Sequence, residues 1–169
     1  GTGINAIVIP ASVKTIGANA FEYTDTLSSV TFESGSLCET IGNNAFSASG
    51  INAIVIPASV KTIGANAFRN TASLLTVDFA LADGTSACTS IGNSAFQSSA
   101  INAIAIPASV ETIGANAFSN MQTLNSLTFD SVSHCWDIGN YAFQSTAITA
   151  VAIPASVTQI GSSAFADTA

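Results

Sequence analysis

Basic side chains are nearly missing from this sequence. Lys14, Lys61 and Arg69 stand against ten acidic residues, for a formal charge of −7 over 169 residues. Phosphate backbones are held by clustered Lys and Arg, so nucleic acid is excluded as a partner, and an anionic membrane surface with it. Long apolar runs are also missing. Even Ile4 to Pro10 is interrupted by Asn5, and nothing approaches the roughly 18 apolar residues of a membrane-spanning helix. One histidine, His134, and three cysteines, Cys38, Cys88 and Cys135, leave little material for metal or nucleophilic chemistry. The chain opens with Gly1 and shows no charged-then-apolar leader, which reads as a mature chain or an excerpt. Apolar residues are abundant, at 48% against 8% charged. That balance argues against disorder and supplies a single domain with a real core.

The apolar residues recur in register. Ile-Gly occurs at Ile16, Ile41, Ile63, Ile91, Ile113, Ile138 and Ile160, at spacings of 25, 22, 28, 22, 25 and 22 residues. Five residues after each Ile stands a Phe: Phe21, Phe46, Phe68, Phe96, Phe118, Phe143 and Phe165. Upstream lies an apolar triplet such as Ile4, Ile7, Ile9 or Leu27, Val30, Phe32, returning at Ile51, Leu74, Ile101, Leu124 and Ile148. A unit this short cannot bury its own apolar edge, whereas stacked units build a continuous core. The expectation is a repeat solenoid of seven coils over residues 1–169, starting near 4, 27, 51, 74, 101, 124 and 148.

Alternation within the triplet predicts a short parallel strand with Ile7 and Ile9 inward and Ala6 and Val8 outward. Pro10, Pro57, Pro107 and Pro154 should end that strand, since proline donates no ladder hydrogen bond. The Gly after each Ile suits a sharp turn or a left-handed conformation. The segment that follows predicts one helical or 3₁₀ turn that delivers Phe to the core. Coils alternate between a short form carrying Pro-Ala-Ser-Val and a long form linked by Glu33 to Leu37, Ala80 to Ala87 and Asp130 to His134. The repeating unit is therefore a pair of coils, with 47, 50 and 47 residues separating Ile16, Ile63, Ile113 and Ile160.

The units "IPASVKTIGANAF", "IPASVETIGANAF" and "IPASVTQIGSSAF" resemble the BspA-like leucine-rich-repeat family across essentially the whole chain. The resemblance implies short parallel β-strands on one face, with turns or short 3₁₀ or β segments on the other. It further implies a surface or secreted protein that adheres to host proteins or to other cells. The two-coil alternation and the enlarged long-coil links depart from the family pattern.

Chemistry finds few footholds. Cys38, Cys88 and Cys135 each stand three residues before an Ile-Gly, where short coils carry Val13, Val60, Val110 and Val157. They read as buried thiols. Two coils of separation, about 10 Å, exceeds the Cα reach of a disulfide. His134 beside Cys135 is not a nucleophilic pair, because adjacent residues in extended chain point apart. Asp83 superficially suggests calcium, but its loop lacks an EF-hand ligand pattern. No catalytic, cofactor-binding or metal-binding residue is expected.

The surface says more. Outward columns read Ala6, Ser29, Ala53, Thr76, Ala103, Ser126, Ala150 and Val8, Thr31, Val55, Asp78, Ala105, Thr128, Ala152. This predicts a flat, small-chained, almost uncharged face. Ser29, Thr31, Thr76, Asp78, Ser126 and Thr128 are its candidate contact residues. Trp136 is added as the large aromatic expected outside the core. Elsewhere Thr15, Thr40, Thr62, Ser90 and Thr112 form a hydroxyl column beside Lys14, Glu39, Lys61, Thr89, Glu111 and Trp136. The charged neighbours count against an ice- or glycan-binding face, and cross-strand packing with Lys14–Glu39–Lys61 charge alternation accounts for the column. Two functions compete: a cell-surface or extracellular adhesive module with a protein partner, or a segment stacking end to end with copies of itself. Solenoids carry polar caps. Their absence at Gly1 and Ala169 leads to the expectation of a longer array or a covered end.

Overall fold

The computed structural model describes residues 3–80 and 85–169 and consists of short strands joined by turns, with no helix among the described residues. Each of the first six coils contributes one four-residue strand and one two-residue strand, and the seventh contributes a two-residue strand alone. The longer strands are β1 (Ala6–Ile9), β3 (Ser29–Phe32), β5 (Ala53–Ile56), β7 (Thr76–Phe79), β9 (Ala103–Ile106) and β11 (Ser126–Phe129). The shorter are β2 (Thr15–Ile16), β4 (Thr40–Ile41), β6 (Thr62–Ile63), β8 (Ser90–Ile91), β10 (Thr112–Ile113), β12 (Asp137–Ile138) and β13 (Gln159–Ile160). All pairing is parallel, and the seven short strands form one continuous sheet. The chain is thus a parallel β-solenoid of seven coils in alternating short and long forms.

Inside the stack the phenylalanines form a single ladder. Successive rings from Phe21 to Phe165 lie 5.1–5.3 Å apart at their centroids and within 10° of parallel. The five inner rings are fully buried, whereas Phe21 and Phe165, with one ring neighbour each, are only partly covered. Thr24, Thr71 and Thr146 each close their turn by donating a hydroxyl hydrogen bond to the carbonyl of the ladder Phe three residues earlier.

The segment carrying each Phe is a chain of β-turns rather than the helical or 3₁₀ turn expected. Asn19, Phe21 and Tyr23 donate their N–H groups to Asn43, Ala45 and Ser47 of the next coil. The intervening Ala20 and Glu22 donate back to Gly17 and Asn19. Half of the donors are drawn across the coil boundary, so no helical i→i+4 series can form.

Glycine has a different task from the one expected. The left-handed residues are Asn19, Asn44, Asn66, Ser94, Asn116, Tyr141 and Ser163, with a second column from Tyr23 to Asp167; none of the Ile-Gly glycines has positive φ. Each glycine is instead pressed against the coil before it. A Cβ on Gly92 would lie 2.7 Å from the Ala65 nitrogen and the Gly64 carbonyl carbon. A Cβ on Gly114 would meet Asn93 at 2.6 Å. Gly17, on the first coil, meets nothing within 4 Å.

The long-strand face is not one sheet. Strands β1 and β3, β5 and β7, and β9 and β11 each pair over four residues. Between β3 and β5 only Ser29 pairs, with Ala53, and β7 and β9 belong to separate sheets. Ladder donors explain the difference. Glu33, Ala80 and Asp130 donate to the Ile9, Ile56 and Ile106 carbonyls of the preceding coil. Pro57, Pro107 and Pro154 hold the same register place on short coils, facing Phe32, Phe79 and Phe129, and have no N–H to give. Proline therefore breaks the step from long coil to short and leaves the opposite step intact. For the same reason the seventh coil has no strand over 148–153, where a seventh strand was expected.

Side chains take up part of the slack at these steps. Ser59 Oγ donates to the Ser36 and Cys38 carbonyls at 2.8 Å each, and Ser109 Oγ to the Cys88 carbonyl at 2.8 Å. Asn43, Asn93 and Asn140 accept the N–H of Ala65, Ala115 and Ser162 through Oδ1 at 2.8–2.9 Å. The short link Pro-Ala-Ser-Val and the long-coil Gly-Asn thus work together.

Two substitutions separate packing from conformation at glycine. Gly92→Ala should destabilise the chain by about 1–3 kcal/mol, as overpacking does, while Gly17→Ala should leave the denaturation midpoint within error. Equal losses at both sites would mean that the glycines serve backbone conformation. Phe68→Ala, which removes a fully buried rung, should cost about 3–5 kcal/mol, measured in the same denaturation series.

Candidate functional site

The outward residues of the long strands come together as the repeat register requires. Ser29 and Thr31 stand opposite Ala6 and Val8, Thr76 and Asp78 opposite Ala53 and Val55, and Ser126 and Thr128 opposite Ala103 and Ala105. Ser29 is partly exposed, and the other five candidate contacts are exposed. Inward neighbours Val30, Val77 and Leu127 are buried, so the face is a thin polar skin on the core.

This face is grooved where a flat surface was expected. A cleft of about 980 Å³ opens over β3 and β5, bounded by Ser29 to Ser36, by Pro57, Ala58 and Ser59, and by Ala80 and Thr85 to Ala87 of the next long coil. A smaller one of about 430 Å³ opens between β7 and β9 and takes in Asp78, Ala105, Thr128 and Asp130. Both lie at the proline-broken steps. Glu33 at the rim of the first accepts the Ala11 N–H at 2.9 Å, which ties the long link to the coil before it.

Trp136 does not join this face. It precedes β12 in the other sheet, where its carbonyl accepts from Thr158 and Gln159, and its side chain is 46% exposed. Nor is it the sole large aromatic outside the core: Tyr23 and Tyr141 are 73% and 40% exposed. Both have positive φ, at 58° and 59°, in columns where other coils carry Asn, Ser, Ala or Asp. A bulky side chain is uncommon in that conformation. Aligning the turn columns would have singled out both tyrosines.

On the short-strand sheet, Thr15, Thr40, Thr62, Ser90 and Thr112 line up in register with Asp137 and Gln159. Thr112 bonds Ser90 hydroxyl to hydroxyl at 3.2 Å. Beside them Lys61 and Glu39 form an exposed ion pair at 2.9 Å. The Lys61 ammonium lowers the Glu39 pKa, first through its hydrogen bond and then through its charge, and Lys14 adds a smaller charge effect.

The three thiols are free, fully buried and equivalent in setting. Each Sγ–H points to a carbonyl two residues on: Thr40 at 3.6 Å, Ser90 at 3.8 Å and Asp137 at 3.7 Å. Each Cys N–H is held by a serine hydroxyl two residues back, from Ser36, Ser86 and Ser133. Burial pushes all three thiols up, Cys88 to about 12. A thiol held protonated is a poor nucleophile and a poor metal ligand. His134 is exposed, and its backbone N–H donates to the Ala108 carbonyl. Asp83 lies outside the described residues. Among the described residues no three His, Cys, Asp or Glu side chains gather as metal ligands, and no helix is long and apolar enough to cross a membrane.

A family model described as a BspA type leucine rich repeat region matches residues 1–82 and 89–169, in six copies. No curated protein matches the chain. Among solved structures, the pneumococcal vaccine antigen PcpA is similar, with a TM-score of 0.75 and 22% identity over 96% of this chain and 48% of that one. A leucine rich cell surface protein from Faecalibacterium prausnitzii A2-165 aligns with a TM-score of 0.58 and 24% identity, over 98% of this chain and 46% of that one. At these identities the likeness is one of fold. The chain spans about half the length of these two structures.

Thiol burial has a measurable consequence. An unfolded thiol ionises near its ordinary value of 9.0, whereas folded Cys88 holds its proton to about 12. Above pH 9 the unfolded chain therefore binds fewer protons than the folded one, and stability falls. The stabilisation from Cys88 should be full below pH 9 and lost as the pH rises toward 12. Cys88→Val should make that part of the stability–pH curve shallower, leaving the contributions of Cys38 and Cys135. In native protein at pH 8 all three thiols should label slowly, and in denaturant completely.

Proposed function

This chain belongs to the BspA type leucine rich repeat family, and from that premise we propose that it is a non-enzymatic module, displayed at a cell surface or secreted, that adheres to a protein partner through its long-strand face and the long-coil links. The observation that carries this reading is the face itself: small side chains and hydroxyls at register spacing, over a buried core, cut by two clefts. Short side chains let another backbone approach closely, and hydroxyls supply hydrogen bonds without the desolvation cost of charge. Exposed Val8, Val55, Leu37 and Val132 add apolar contact area on the strands and links. The neighbour from F. prausnitzii is described as a cell surface protein and PcpA as a vaccine antigen, which accords with an exposed location. With ten acidic and three basic residues, nucleic acid stays outside the proposed partners.

A second reading is stacking with other copies of the chain. Ile4 on the first coil and Ile160 on the last are about half exposed, at 49% and 51%, and apolar strand edges invite a further coil.

Binding of the chain to immobilised extracellular-matrix proteins and to whole cells tests the first reading. Replacing Thr31, Asp78 and Thr128 together with Arg should weaken binding about tenfold or more, as charge does when placed inside a contact, without shifting the melting curve. Trp136→Ala should leave binding unchanged. Loss at Trp136 with retention in the triple variant would move the contact to the short-strand sheet. Sedimentation as concentration-dependent oligomers, with no binding to either target, would replace adhesion by stacking.

A further inference from the structure

We propose that the solenoid is jointed: it opens on the long-strand face at each step from long coil to short, and the glycine–phenylalanine side acts as the hinge. The coil pair, short followed by long, is then the rigid unit.

Three inter-coil connections respond differently to the alternation. Across the glycines the backbone bond is constant: Gly42, Gly64, Gly92, Gly114, Gly139 and Gly161 donate to the Ile two residues before the preceding coil's turn at 2.7–2.8 Å, whichever coil comes first. The ring ladder is equally indifferent, with 5.1 Å from Phe68 to Phe96 within a pair and 5.2 Å from Phe96 to Phe118 between pairs. Only the long-strand ladder alternates. It has four residue pairs within a coil pair, one at the first step between pairs and none between β7 and β9.

The two clefts lie over these same steps. Ser59 and Ser109 tether the link, and the asparagines tether the glycine turn. Neither spans the strands themselves. At the last such step even the serine is lost, for Ser156 Oγ is buried with no hydrogen-bond partner. Bending stress applied to a stack with two continuous connections and one interrupted connection falls on the interruption. The array therefore flexes along one edge, once per coil pair, and the clefts widen or narrow as it does.

Amide hydrogen exchange on the 169-residue chain resolves the proposal site by site. The Ala105 N–H, which faces β7 across the broken step, should exchange roughly tenfold or more faster than the Thr128 N–H, which faces β9 across an intact one, since local opening sets the exchange rate. Gly114 and Gly139, on the hinge side of the same two coils, should be protected alike. Pro107→Ala restores the missing donor opposite Phe79 and should slow Ala105 exchange, while Pro10→Ala, on the first coil, should not. Equal protection at Ala105 and Thr128 overturns the joint. Rapid exchange at Gly114 overturns the hinge, because the whole coil would then be parting. If Pro107→Ala folds and leaves Ala105 unchanged, proline is not the cause and the proposal falls. Should that variant fail to fold, the wild-type comparison of Ala105, Thr128 and Gly114 decides alone.

Discussion

Backbone hydrogen bonds between coils set the spacing of the entire stack, and every repeated residue is an adjustment to that spacing. Parallel strands bond at about 4.8 Å, so anything placed at the same point on successive coils must tolerate near-contact with its own copy. Flat aromatic rings do so by lying nearly parallel, at 5.1–5.3 Å between centroids. Glycine does so by having no side chain: even a Cβ on Gly92 would come within 2.7 Å of backbone. Turn residues that send every second N–H to the neighbouring coil are a third response, and they leave no donors for a helix.

Against that uniform spacing, proline introduces a direction. The N–H at the place of Glu33, Ala80 and Asp130 faces the preceding coil, so a proline there silences only the step behind it. Alternating short and long links would otherwise change little beyond loop length. With proline present, the same alternation divides a seven-coil array into pairs and opens the outer face between them. The serine of Pro-Ala-Ser-Val and the long-coil asparagine bond across the steps that proline weakens. Stability lost in one connection is thus partly returned in another, at a different place on the coil.

The repeat, the coil count, the inward residues and the valine-like burial of Cys38, Cys88 and Cys135 were all legible in sequence, because burial at a fixed period leaves a periodic record. The candidate face was legible as residues that alternate with that core. Its relief was not. Pro57 and Pro107 read correctly as strand terminators, but their effect on β3 and β7 depends on which neighbour the missing N–H would have faced, and strand composition holds no such information. Glycine misled for a related reason. Its usual freedom in φ suggested a left-handed turn, whereas the need was for a missing Cβ, and the left-handed places fell to Asn19, Asn44 and their counterparts two residues on. Tyr23 and Tyr141 escaped notice because they occupy columns dominated by small polar residues.

The glycine column and the outward strand positions stand at opposite ends of tolerance to inherited change. Any missense change in a glycine codon installs a side chain, and at six of the seven Ile-Gly positions that side chain would press into the coil before it, Gly17 alone having open space. Outward positions such as Thr31, Asp78 and Thr128 are exposed, and their replacement disturbs neither ring ladder nor glycine contact. A lineage carrying this chain is therefore held to one frame while the surface on that frame is at liberty to diversify.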